Sequence, residues 1–216
     1  MARGHAVRFQ RLYIDGVRRA ASSSVEGLAR TRVSPNALTA AGVTLCALAA
    51  VAVYFEYRHE LAAFWVGAGL FIMGSILDIL DGALARRSNK ATPFGAFVDS
   101  TTDRLSEAFM LGAIALVLMR DGDELALAAT VAALTGSFLV SYTRARAEAL
   151  GLRGDVGIGS RAERVVVISA GLILAPWLSV EWAIYLLAFT AWITVAQRIF
   201  SVRRQLSQSR ETRDST

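Results

Sequence analysis

The chain has 216 residues, 54% of them hydrophobic, and a mean hydropathy of +0.44 although 19% are charged. A chain this apolar keeps so many charges only by segregating them from its apolar runs, which excludes an ordinary water-soluble domain and fits one compact membrane domain. The net charge of +5 comes from 22 arginines and one lysine, Lys90, against 18 acids. The arginines border apolar runs, where they set topology and attract anionic head groups, so no nucleic-acid partner is needed to explain them. Cys46 is the only cysteine, and His5 and His59 stand apart from other ligands. That rules out a disulfide framework within the chain and a thiolate or imidazole metal cage.

Residues 1–33 hold seven arginines, with Phe9, Leu12, Tyr13, Val17 and Ala20 recurring at helical spacing. The pattern predicts an amphipathic interfacial helix rather than a cleaved signal, because no continuous apolar stretch follows the start. Ser34-Pro35-Asn36 is a helix-start signal, and the first span is expected over Ala37–Phe55. Further spans are expected over Leu61–Leu80, Arg104–Met119, Leu125–Tyr142, Val165–Leu178 and Trp182–Ile199. Trp65, Trp177, Trp182 and Trp192 fall mostly near span ends, as interfacial anchors do. With both termini cytoplasmic, only Arg58 and Arg120 of the 23 basic residues lie on the far side. The expected fold class is therefore an all-α integral membrane protein with six transmembrane helices plus the N-terminal amphipathic helix. Residues 1–33 form a juxtamembrane segment, 34–202 the membrane domain and 203–216 a polar tail expected to lack regular structure. The expected location is the cell (inner) membrane, multi-pass, with the active site cytoplasmic.

Polar chemistry concentrates where the second span ends and the third begins. Asp78 and Asp81 are three residues apart and Asp99 and Asp103 four apart, so on helices each pair shares one face. A short connection makes the two helices antiparallel neighbours, and the four carboxylates can then converge. Four like charges beside a membrane repel and resist dehydration unless one or two divalent cations hold them together. Oxygen-only ligands on rigid helices favour magnesium or manganese over calcium. Gly82 and Ala85 clear space one turn away, and Arg86 can neutralise a phosphate by a bidentate contact. Carboxylates, cations and an arginine together suit phosphoryl transfer.

Residues Asp78–Asp103 read D-x2-D-G-x2-A-R-x8-G-x3-D-x3-D, eight fixed positions without a mismatch. The pattern resembles the signature of the CDP-alcohol phosphatidyltransferase family. The resemblance implies that an acceptor hydroxyl attacks the lipid-side phosphate of a CDP-linked lipid and releases CMP. It further implies two Mg2+ ions, with Mn2+ as a substitute, held by Asp78, Asp81, Asp99 and Asp103, and Asp103 as general base. Asn36, Thr39, Gly82, Arg86 and Thr92 would contact the CDP moiety, and the family implies a homodimer.

After the fourth span, Arg144, Arg146, Arg153, Arg161 and Arg164 cluster within 21 residues. This is similar to the phosphatidylinositol phosphate synthase branch of the family and its archaeal ether-lipid counterpart. That resemblance implies inositol 1-phosphate as acceptor, CDP-diacylglycerol or CDP-archaeol as donor, and Arg144, Arg164 and Arg198 as the clamp on the acceptor's phosphate. Any cytoplasmic loop also gathers arginines for topology alone. A glycerophosphate transferase using glycerol 3-phosphate would share the four aspartates. Intramembrane carboxylates also occur in divalent-cation transporters, but that alternative leaves Gly82, Ala85, Arg86 and Gly95 unexplained. Glu107, one turn beyond Asp103, either tunes the metal site or caps a polar stripe, and the sequence leaves both readings open.

Overall fold

The structure is a computed structural model that describes residues 34–58, 60–88 and 91–214. The amphipathic helix expected in residues 1–33 lies outside them. Among the described residues the chain is all-helical: α1 Pro35–Tyr54, α2 Glu60–Arg87, α3 Pro93–Asp121, α4 Glu124–Ala149, α5 Arg161–Leu174 and α6 Val180–Asp214. A single 3-10 turn, Glu56–Arg58, separates α1 from α2.

Local chemistry places the helix starts. The Ser34 hydroxyl accepts from the Ala37 N–H at 3.2 Å with Pro35 in the first turn, and Thr92 accepts from the Gly95 N–H at 3.0 Å ahead of Pro93. Asp123 caps α4 through the Ala126 N–H at 2.9 Å, and Ser160 with Glu163 forms a reciprocal capping box at the start of α5. Each cap satisfies an amide the helix leaves without an internal partner, and proline at the first position gives up no needed bond.

Four stretches are long and apolar enough to cross a membrane: Pro35–Tyr54, Leu61–Arg87, Glu124–Ala149 and Val180–Gln208. Val51, Met73, Ile79, Val131 and Phe189 on these helices are each more than half exposed. Hydrocarbon solvates such side chains as well as a protein core does, and the helices satisfy their own backbone polar groups. The chain is a multi-pass membrane protein. Two of the six spans expected in the sequence are not among these four. α3 begins at Pro93 and carries Asp99, Asp103, Arg104 and Glu107 in its first half, which dilutes its apolar run. α5 stops at Leu174 rather than Leu178, since Pro176 follows and cannot continue a helix. Its 14 residues rise only about 21 Å, against ~30 Å of hydrocarbon.

The expected irregular tail is also corrected: α6 continues unbroken to Asp214. Arg203, Arg204, Gln205, Leu206 and Gln208 are good helix formers, and extending an existing helix avoids the cost of nucleating a new one.

The chain divides into two compact units. One comprises the described residues of Met1–Thr44 with Met73–Asp103, and the other Leu45–Ile72 with Arg104–Thr216. The second unit holds an apolar core in which Phe71, Met110, Leu111, Ile114, Leu118, Ile168, Leu172, Ile184 and Leu187 are buried. Here α6 packs on both α4 and α5. Arg120 closes α3 by donating to the Tyr54 carbonyl and the Glu56 carboxylate, each at 2.7 Å, while lying over the rings of Tyr54 and Tyr57. Where α5 meets α6, a methyl group on Gly171 would overlap the Ala183 Cβ, whereas one on Gly112 would meet nothing within 4 Å. Gly171→Ala is therefore expected to force the helices apart at a cost of about 1–3 kcal/mol. The check is thermal unfolding in detergent: Gly171→Ala lowers Tm by several degrees and Gly112→Ala leaves it unchanged or higher.

Candidate active site

The first unit brings the end of α2, the start of α3 and the opening of α1 to one place. α1 and α2 approach closely there because Gly42 has no side chain: a Cβ would stand 2.9 Å from the Gly74 carbonyl oxygen. Asp78 lies one turn before Asp81 on α2, and Asp99 one turn before Asp103 on α3. Asp78, Asp99 and Asp103 each offer a carboxylate oxygen within 4.8 Å of the others. Asp78 is buried, and Asp99 and Asp103 are half-buried. Three anionic oxygens and no nitrogen or sulfur form a donor set suited to a hard divalent cation.

Asp81 is not one of these three. Its Oδ2 accepts a hydrogen bond from the Thr39 hydroxyl of α1, and it lies close enough to Asp78 and Asp99 to be repelled by both. It faces a cavity of about 340 Å3. Ser34, Asn36 and Thr39 of the α1 opening line that cavity, with Asp81, Gly82, Ala85 and Arg86 of α2 and Thr92, Gly95, Ala96 and Asp99 around the start of α3. All five residues that the sequence resemblance associates with CDP thus border one space. Arg86 folds back along its own helix, so that a Cβ at Gly82 would stand 3.4 Å from its Nη1. The absence of a side chain at Gly82 keeps the floor of the cavity open beside a guanidinium. Thr92 has a second task as the cap of α3.

The second unit gathers the three arginines. Arg144 and Arg164 both lie near enough to Arg198 to repel it, while Asp155 and Glu148 attract it. Their environments differ. Arg144 is about half exposed and donates to Glu148 at 2.9 Å, one turn along α4. Arg198 is buried and donates to the carbonyls of Val140 and Val156. Arg164 is buried as well, and grips Glu107 in a bidentate pair, Nε to Oε1 at 2.7 Å and Nη2 to Oε2 at 2.9 Å. Its Nη1 donates to the Gly159 carbonyl at 2.7 Å. Leaving one charge of such a buried pair alone costs about 3–5 kcal/mol, so Glu107 and Arg164 act as a unit. Of the two readings open for Glu107, the structure gives it an arginine partner. Outside the spanning segments, Arg153 bonds Asp155 at 3.3 Å and holds its carboxyl below the ordinary carboxylate range.

Reading the sequence singled out the segment joining α4 to α5 for its arginines but missed its contacts with α6. The signal was a polar line, Thr194, Arg198, Ser201 and Gln205, spaced four, three and four residues apart on a helix read mainly for its apolar content.

Comparisons with known proteins identify the family. Residues 32–202 match the model of the CDP-alcohol phosphatidyltransferase family. The chain is 38% identical over 181 residues to an archaetidylinositol phosphate synthase of Pyrococcus horikoshii, covering 83% of this chain and 88% of that one. Among solved structures, the phosphatidylinositol phosphate synthase of Mycobacterium tuberculosis with CDP-DAG bound matches at a TM-score of 0.74 and 30% identity, covering 85% of this chain and 94% of that one. The same mycobacterial enzyme in complex with manganese and citrate matches at a TM-score of 0.74 and 30% identity, covering 84% and 88%. The aspartate motif, the all-helical membrane fold and these likenesses agree: the chain belongs to the CDP-alcohol phosphatidyltransferase family.

Proposed function

We propose that this protein transfers the phosphatidyl group of CDP-diacylglycerol, or the corresponding group of CDP-archaeol, to inositol 1-phosphate, giving a phosphatidylinositol phosphate-type lipid and CMP. The observation that carries the reading is the cavity of the first unit, which places Asn36, Thr39, Gly82, Arg86 and Thr92 around one space with Asp81 and Asp99. The named relatives, an archaetidylinositol phosphate synthase and a phosphatidylinositol phosphate synthase, support the choice of acceptor. Membership of a transferase family leaves the cation-transporter alternative without support.

In this reading Asp78, Asp99 and Asp103, joined by Asp81, hold two divalent cations, Mg2+ or in its place Mn2+. Bound there, the cations would polarise the phosphorus and neutralise charge on the phosphate oxygens. Asn36, Thr39, Gly82 and Thr92 seat the nucleotide, and Arg86 neutralises its phosphates through a planar two-point contact. Asp103 accepts the proton of the acceptor hydroxyl as that oxygen bonds to the lipid-side phosphorus. The bond from that phosphorus to the bridging oxygen breaks, and CMP leaves with the electron pair. Arg144, Arg164 and Arg198 hold the acceptor's phosphate, a dianion that needs a cationic seat of its own. Six helices span the membrane, α3 and α5 included, with both termini and the active site cytoplasmic in the cell membrane, and the enzyme works as a homodimer. Placing the termini there leaves two of the 23 basic residues on the opposite face.

Three experiments test the reading. Asp103→Asn keeps the size of the side chain but removes the base, so CMP release from membranes should fall by about 10^2–10^4-fold; a wild-type rate would overturn the base assignment. Stripping membranes with a chelator should abolish CMP release, and Mg2+ or Mn2+ should restore it. Turnover that survives chelation would mean the carboxylates work without a cation. Thin-layer separation of the lipid product with each acceptor in turn should show conversion with inositol 1-phosphate, while conversion with glycerol 3-phosphate alone would replace the proposed acceptor.

A further inference from the structure

The segment between α4 and α5 carries no regular structure, yet side chains hold its backbone at three evenly spaced points. The carbonyl of Arg153 accepts from Gln205 Nε2 at 2.9 Å, that of Val156 from Arg198 Nε at 2.9 Å, and that of Gly159 from Arg164 Nη1 at 2.7 Å. At the first point the bond is double, because the Arg153 N–H also donates to Gln205 Oε1 at 3.0 Å. One glutamine amide thus satisfies both backbone groups of one residue, much as a neighbouring β-strand would. The amide is steadied in turn by Ser201, whose hydroxyl oxygen accepts from Nε2 at 3.3 Å.

The same segment meets all three arginines assigned above to the acceptor's phosphate. It presses on α4 at Gly154, where a Cβ would stand 2.9 Å from the Arg144 carbonyl oxygen. It caps Arg198 through Val156 and Arg164 through Gly159. Between those points Gly157 holds a φ of +120°, which a side chain would strain, and lies against Thr194. Arg198 and Arg164 each spend a donor on the segment, so moving it would turn their guanidinium planes. Gln205 anchors it without belonging to the proposed phosphate clamp.

We propose that Gln205 is a positioning residue for acceptor binding: by clamping the backbone of Arg153 from the α6 extension, it fixes the segment against which Arg144, Arg164 and Arg198 are set. The inference rests on the acceptor reading of the preceding section. It assigns a task to the helical extension beyond Arg203, which carries Gln205 far enough to reach Arg153.

The test uses the full chain in membranes, with steady-state CMP release measured while either inositol 1-phosphate or CDP-diacylglycerol is varied. Gln205→Ala removes two backbone contacts and should raise KM for inositol 1-phosphate by about tenfold, leaving kcat and KM for CDP-diacylglycerol unchanged. Gln205→Glu keeps an acceptor for the Arg153 N–H but loses the donor to its carbonyl, so its KM should fall between the two. Ser207→Ala, on the same extension, should behave as wild type. An unchanged acceptor KM in Gln205→Ala overturns the proposal. So does a parallel loss of Tm and of both KM values, which would mark a purely structural role, or an equal shift in Ser207→Ala. If wild-type protein does not turn over inositol 1-phosphate at all, the acceptor reading itself fails, a result separate from any effect of Gln205.

Discussion

Three carboxylate oxygens from two helices stand within 4.8 Å of one another. With all three ionised, each pair repels by at least about 3.5 kcal/mol at an effective dielectric constant of ~20. Partial burial adds a dehydration cost that water would otherwise offset. Packing tight enough to bring α2 and α3 together therefore works against the charges it brings together. A divalent cation turns that conflict into binding energy, because it gains most where anionic oxygens have already been gathered. The small residues around the acids follow from the same constraint. Gly42 lets α1 reach α2, and Gly82 and Ala85 leave room for a ligand beside the acids.

The arginines divide by burial, and burial sets what each can do. Arg164 is fixed by Glu107 and a backbone carbonyl, so it contributes a stationary positive charge rather than a mobile arm. Arg198 is held by two carbonyls, which leave its charge uncancelled. Arg144 is the exposed member, paired to Glu148 in a contact worth only a few tenths of a kcal/mol, about what solvent-screened pairs on a helix give. An incoming phosphate could take Arg144 from Glu148 at little cost, whereas it could not take Arg164 from Glu107. In the proposed enzyme, Arg164 and Arg198 would meet the phosphate as stationary charges with their remaining N–H donors, and Arg144 would close on it.

Much of this was legible in residue order. The spacing of Asp78, Asp81, Asp99 and Asp103 is a helix-surface property, so it located both the helices and the face they share. Ser34-Pro35 announced the start of α1 because capping chemistry is local. Glu107 could not be assigned, because its partner stands 57 residues away and nothing near Glu107 in the chain distinguishes a metal-tuning acid from an ion-pair acid. The tail was misjudged for a related reason: polar composition alone does not tell a solvated coil from a polar helix propagated out of an existing one.

By itself the sequence determined the helical class, the membrane as solvent and the chemistry of the acidic motif, since these depend on composition, on period and on contacts within a turn or two of helix. Only the tertiary structure decided that Asp81 turns to Thr39 while Asp78 gathers with Asp99 and Asp103, that Arg164 is spoken for by Glu107, and that Gln205 reaches back 52 residues to Arg153. Those pairings depend on which helix faces meet, and that is settled by how closely backbones can approach at residues such as Gly42 and Gly171, a property of two surfaces together and of neither segment alone.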